Sequence, residues 1–248
     1  MPPQEREVGR LVRADEIANV LLSGRFCRSP RALSKSLEDA IETTISQGNP
    51  FRLLMLWGKG RKQHVDRAEA ETCELLLRYR ERLTRIWPRA FTIRVLFADT
   101  HARINGYPAQ EVDRYFQETR QLLENVTRDF GLLSDLWAEV GISEDVVSRR
   151  AMHIEAHWRD LDDHLRLTER AARYSLRSDP EECARTYAAT RLLENEALDQ
   201  MYGGWIYVTS DSHEMAPLLP SLPVIHLYSR ARGYCEKPWN TRLEAKGR

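Results

Sequence analysis

Two short apolar runs constrain this chain more than any other feature. Phe51–Trp57 (FRLLMLW) ends in Gly58-Lys59-Gly60, and Phe91–Ala98 (FTIRVLFA) ends in Asp99. Runs of this length, bounded by glycine or polar residues, read as strands buried on both faces. The second is rich in β-branched and aromatic residues, which suit a pleated, packed surface. Between them, Asp66 and Glu69 form a D-x-x-E capping pattern. The helix this opens turns Ala70, Cys73, Leu76, Leu77, Leu83 and Ile86 inward and ends near Trp87-Pro88. After the second run comes a polar loop from Asp99 to Pro108. A helix follows, with Val112, Tyr115, Phe116, Thr119, Leu122, Leu123 and Val126 at helical spacing. Strand–loop–helix repeated in this way builds a parallel sheet with covering helices. The expected fold class is therefore α/β and Rossmann-like, a mostly parallel sheet flanked by helices. Ligands in such folds bind outside the carboxyl ends of the strands.

The remaining chain fits that frame. Residues 13–22 and 31–47 read as helices, the second stopped by Gly48-Asn49-Pro50. They make residues 1–48 a helical N-terminal segment, 49–232 the α/β core and 233–248 a polar tail, all within one domain. Phe130–Val140 reads equally as strand or helix. Residues 142–176 read as one long helix opened by Ser143. Asp179-Pro180-Glu181-Glu182 opens another, since proline suits the first helical position and acids the first turn. It ends before Gly203-Gly204. Trp205–Thr209 and Val224–Tyr228 read as further strands.

Composition narrows the function classes. Thirty-seven basic residues balance thirty-seven acidic ones, so no global charge draws the chain toward nucleic acid or an anionic membrane. No stretch approaches the ~18 apolar residues of a membrane span. The N-terminus lacks the apolar region of a signal peptide. Cys27, Cys73, Cys183 and Cys235 are scattered, with no C-x-x-C pattern. The expectation is a cytoplasmic enzyme with a small-molecule partner, compatible with a homodimer.

Three places carry candidate chemistry. In the loop after the first run, Trp57, Lys59 and Arg61 (with Lys62) combine glycines and cations suited to a carboxylate or phosphate. The spacing matches neither G-x-x-x-x-G-K-[ST] nor G-x-G-x-x-G. The loop after the second run offers Asp99 and His101 as catalytic candidates, with Arg103, Asn105 and Tyr107 as binding groups. An acid at the end of the second strand is placed to hold ribose hydroxyls, and a histidine can act as general base. His153, His157, Asp160 and His164 share one stripe if the helix is continuous. They read as a polar rim of the core, and no metal is expected there. Of the late aromatics Tyr202, Trp205, Tyr207, Tyr228, Tyr234 and Trp239, we single out Tyr202 and Trp205 as rings that can face a ligand cation.

Residues 37–123 distantly resemble the isocyanide synthase superfamily of the dityrosine and pyoverdine type. The shared outline is the Gly-Asn-Pro lead-in, FRLLMLW, a loop with Gly and Lys, Trp87-Pro88, FTIRVLFAD and a helix with V-x-x-Y; the late Pro238-Trp239 also fits. That family's Lys-Ser-Pro-Asn and Ser-Asp-Gly segments are absent here. In overall look the chain is also similar to the azetidine-2-carboxylate synthases of bacterial nonribosomal-peptide clusters. That resemblance implies S-adenosylmethionine as sole substrate, closed to a four-membered ring with release of methylthioadenosine and without a metal. Under it, Lys59, Arg61 or Arg103 would clamp the carboxylate. Asp99 would hold ribose hydroxyls or the amine, and Tyr107, Tyr202 or Trp205 would face the sulfonium. The alternatives are an isocyanide synthase-like enzyme modifying an amino acid, an S-adenosylmethionine-dependent methyltransferase, and a ligand sensor or scaffold.

Overall fold

The computed structural model describes residues 14–27, 34–160, 164–210 and 218–227. Both anticipated strands form, β1 over Phe51–Trp57 and β2 over Phe91–Phe97, paired in parallel from Phe51↔Phe91 to Trp57↔Phe97. Three more strands complete the sheet: β3 (Asp129–Leu132), β4 (Ile206–Thr209) and β5 (Val224–His226). The order is β3-β2-β1-β4-β5, and every pairing is parallel. The fold is thus α/β and Rossmann-like, as the alternation of elements implied.

Helices cover both faces. Helical residues 14–21 (α1), α2 (Lys35–Gln47), α3 (Arg67–Thr84) and α5 (Ala109–Leu123) contribute to the larger apolar core. That core holds Phe51, Leu53, Met55 and Trp57, alternate residues of β1, as a period of two requires. The intervening Leu54 points to the other face. There it meets Leu96, Tyr207 and residues of α6 (Leu133–Val140) and α9 (Pro180–Met201). A third cluster under α8 (His164–Tyr174) is built around Trp158, which is 1% exposed.

Local sequence accounts for most boundaries. Asp66 and Glu69 form the reciprocal capping box of α3. Gly48 closes α2 in the left-handed region at φ 65°, where glycine carries no steric penalty. Asp179 accepts from the N–H groups of Glu181 and Glu182 at the start of α9.

Three readings are corrected. The segment after β2 is not a loop throughout: Asp99–Ile104 forms a short helix, α4, ended by Asn105 and by Gly106 at φ 81°. Residues 142–176 are not one helix. α7 spans Glu144–Glu155 and a 3₁₀ turn spans Trp158–Asp160 before α8 begins. The break lets Trp158 enter the core with Leu167, Ala171 and Cys183, which a straight solvent-facing helix would prevent. The His153–His164 stripe is therefore interrupted. His157 lies 3.7 Å from Asp160 and both side chains are largely exposed. The ambiguous stretch resolves as both elements in turn, β3 and then α6. Residues 31–33, Tyr228, Tyr234, Cys235, Pro238 and Trp239 lie outside the described residues.

Replacing the α3 cap, Asp66→Ala, is expected to cost about 1 kcal/mol. For a chain of this size that lowers the melting temperature by roughly 2–4 °C. Calorimetry on the two proteins measures the shift, and an unchanged transition would mean that the capping box contributes nothing.

Candidate functional site

A cavity of about 510 Å³ opens at the carboxyl ends of β1, β2 and β4. The sheet order reverses between β1 and β4, so this is the topological switch point where open α/β sheets bind ligands. Trp57 to Lys62 form the β1 side of the wall, Ala98, His101 and Asn105 the β2 side, and Tyr207, Thr209 and Ser210 the β4 side. α8 adds Leu167, Arg170 and Tyr174, and α9 adds Cys183, Tyr187 and Arg191. The two loops expected to converge do so, through His101 and Asn105 on the second.

The β1 loop is tied down from several directions. Lys62 bonds Asp66 and the largely buried Glu69 at 2.8 Å each. Glu69 also accepts from the Tyr115 hydroxyl at 3.0 Å. Arg61 donates to the carbonyls of Ala172 and Ser175, at 3.2 and 3.0 Å, and so caps the end of α8. Glu118 of α5 holds His64 and the Val65 N–H. The main-chain N–H groups of Gly58, Lys59, Gly60 and Arg61 donate to nothing among the described residues. A Cβ added at Gly58 or Gly60 would meet no atom within 4 Å, so the loop borders open space.

Lys59 behaves unlike an exposed clamp. Its side chain is 0% exposed. The ammonium lies 3.9 Å from the centroid of the Tyr107 ring, 3.8 Å from Glu111 and 3.4 Å from the Gly60 carbonyl. Burial pushes its pKa below 10.5, Arg114 adds to that, and Glu111 opposes it. Tyr107 supports Lys59 with its ring and donates its hydroxyl to the Tyr174 carbonyl, so it serves the wall rather than the lumen.

His101 has a buried partner from a distant helix. Its Nε2 is 2.6 Å from Oε2 of Glu194, a residue of α9 whose side chain is 0% exposed. The other Glu194 oxygen accepts from Thr100 at 3.0 Å and from Trp137 Nε1 at 2.9 Å. The Arg191 guanidinium sits 3.8 Å away. Burial alone would raise the Glu194 pKa. His101, Arg191 and Trp137 together hold it below the ordinary carboxylate value. Arg191 is itself buried, which disfavours its charge, yet Tyr207, Tyr187 and Glu194 keep it firmly protonated.

Four of the expected residues sit elsewhere. Asp99 accepts from the Ser134 N–H at 3.0 Å, at the start of α6, and lies 3.7 Å from Arg103. Arg103 projects outward, about half exposed. Tyr202 and Trp205 pack edge to face on the other side of the sheet, at the amino end of β4. Trp57, Lys59, Arg61, His101 and Asn105 do border the cavity. Sequence reading missed Glu194, Arg191 and Tyr187. The local signal was one pair of opposite charges three residues apart in α9, and only packing decides that this pair is the buried one.

Fold and cavity together define a Rossmann-like α/β protein with a ligand-sized cleft at its switch point. No protein-family model matches the chain, and no curated protein matches it. Solved structures do. The PvcA protein from Pseudomonas aeruginosa aligns with a TM-score of 0.64 at 13% identity, over 89% of this chain and 85% of that one. Tyrosyl-tRNA synthetase from Archaeoglobus fulgidus gives 0.49 at 18% identity, over 86% of this chain and 63% of that one. The enzyme from Pyrococcus horikoshii gives 0.42 at 14%, over 87% and 60%. At 13% identity the match to PvcA shows a shared fold, and the azetidine-2-carboxylate resemblance gains no support from the comparisons. No helix among the described residues is long and apolar enough to cross a membrane.

The buried ammonium at Lys59 sets a pH dependence. Its pKa is lowered in the folded chain, so between that value and 10.5 the unfolded chain binds more protons. Stability then rises with pH across this window. Relative to Lys59→Met, the wild type should gain stability as pH increases toward 10.5, read by urea unfolding at stepped pH. Parallel curves for the two proteins would contradict the assignment.

Proposed function

We propose that the protein is an enzyme acting on a small molecule with an amino-acid head group, and that His101 is its general base. One observation carries this reading: His101 lines the switch-point cavity while a buried carboxylate holds one of its ring nitrogens. The unpaired N–H groups of Gly58–Arg61 supply donors for a substrate carboxylate, a role first given to the side chains of Lys59, Arg61 and Arg103. Asp99, Tyr202 and Trp205 take no part in this version.

The first reaction assigned to this site is ring closure of S-adenosylmethionine. His101 takes a proton from the α-ammonium. The freed nitrogen lone pair forms a bond to the γ-carbon, and the C–S electrons leave with sulfur as neutral methylthioadenosine. The sulfonium is already an activated leaving group, so positioning supplies most of the acceleration; favourable intramolecular cases reach about 7–11 kcal/mol. Tyr187, on the cavity wall, offers an aromatic ring to the sulfonium.

A second reading is isocyanide synthase-like modification of an amino acid with a pentulose phosphate as carbon donor. The PvcA-like fold and the arginine and lysine residues around the cavity favour it. It needs the same deprotonation of an amino-acid nitrogen.

Incubation of the purified protein with S-adenosylmethionine alone, followed by mass spectrometry, separates the two. Methylthioadenosine and azetidine-2-carboxylate together support ring closure. Turnover only when an amino acid and a pentulose phosphate are supplied transfers the assignment to the second reading. In either case His101→Gln is expected to lower kcat/KM by about 10²–10⁴-fold, the usual contribution of a general base. Full activity in that variant would remove His101 from the mechanism.

A further inference from the structure

We infer that Glu194 is the positioning residue of this site, selecting which nitrogen of His101 reacts. The inference rests on the reading of His101 as base and deepens it. A neutral imidazole carries one N–H and one lone pair, and the hydrogen bond at one nitrogen fixes the state of the other. Glu194 is held as an acceptor. Thr100 and Trp137 both donate to Oε1, and a tryptophan N–H can only donate. Arg191 keeps a positive charge beside Oε2, which favours the ionised carboxylate. The remaining oxygen therefore accepts from His101, and the 2.6 Å contact is Nε2–H···Oε2.

The consequence falls on the other nitrogen. Nδ1 makes no hydrogen bond to any described residue. The ring itself borders the cavity and packs edge to face against Tyr187 at 5.1 Å. With Nε2 protonated, Nδ1 carries the lone pair that accepts the substrate proton. Glu194 then stabilises the imidazolium that results. The carboxylate that does this lies 93 residues from His101 in the chain.

The tautomer is readable without substrate. Two-bond ¹H–¹⁵N correlation spectra of histidine-labelled protein, with His101→Gln to assign the signal, distinguish Nε2–H from Nδ1–H. The wild type should show Nε2–H above the titration of the ring. Glu194→Asp keeps a carboxylate and should retain that tautomer. In Glu194→Gln the side-chain amide can donate to Nε2, so the Nδ1–H form should appear, with kcat/KM down by about 10²-fold or more. An Nδ1–H ring in the wild type, or an unchanged tautomer in folded Glu194→Gln, overturns the inference. The wild-type and Glu194→Asp spectra decide the matter even where Glu194→Gln does not fold. Because the spectra need no turnover, an inactive preparation would count against the proposed reaction and leave the role of Glu194 separately decided.

Discussion

The constraint on which the site depends is the cost of keeping one carboxylate away from water. Removing an ionised carboxylate from solvent costs several kcal/mol unless its oxygens are satisfied. Glu194 is fully buried, and it draws Thr100 and His101 from α4, Trp137 from α6 and Arg191 from its own helix. Side chains from the three helices together surround both oxygens. Losing one donor would leave a buried lone pair unmatched, so the network holds as a unit. The same contacts hold His101 at the cavity wall, where the proposed reaction needs it.

Around this centre the sheet provides the place and the loops provide the walls. Parallel strands end together, so the segments leaving β1, β2 and β4 open on one side. The β1 loop carries three cations, and each is used differently. Arg61 caps α8, Lys62 joins the cap of α3, and Lys59 is enclosed against Tyr107 and Glu111. What the loop turns to the cavity is its main chain. A basic loop at a strand end thus keeps its amide donors unpaired at the cavity, while its side chains hold it in shape.

Much of this was legible in the chain. Continuous apolar runs marked β1 and β2 almost to the residue, since both faces of a central strand must be apolar. Asp66 with Glu69, Gly48 and Asp179 marked helix ends because capping is a local interaction. Periodicity failed at Trp158. Helical spacing there is indistinguishable from that of two shorter helices, and the deciding event is the burial of one indole against α8 and α9. It failed again after β2, where a run of polar residues conceals the six-residue helix that presents His101.

By itself the sequence determined a parallel α/β sheet, the end of that sheet at which a cavity opens, and His101 and the β1 loop as parts of that cavity's wall. Those follow from patterns within a few residues of each other. Only the tertiary structure decided that Glu194, and not Asp99, is the carboxylate beside His101, and that Lys59 is sealed from solvent while Tyr202 and Trp205 lie at the opposite end of β4. Those outcomes depend on which distant helices pack together and on where a buried charge can find its partners, and no local spacing encodes either.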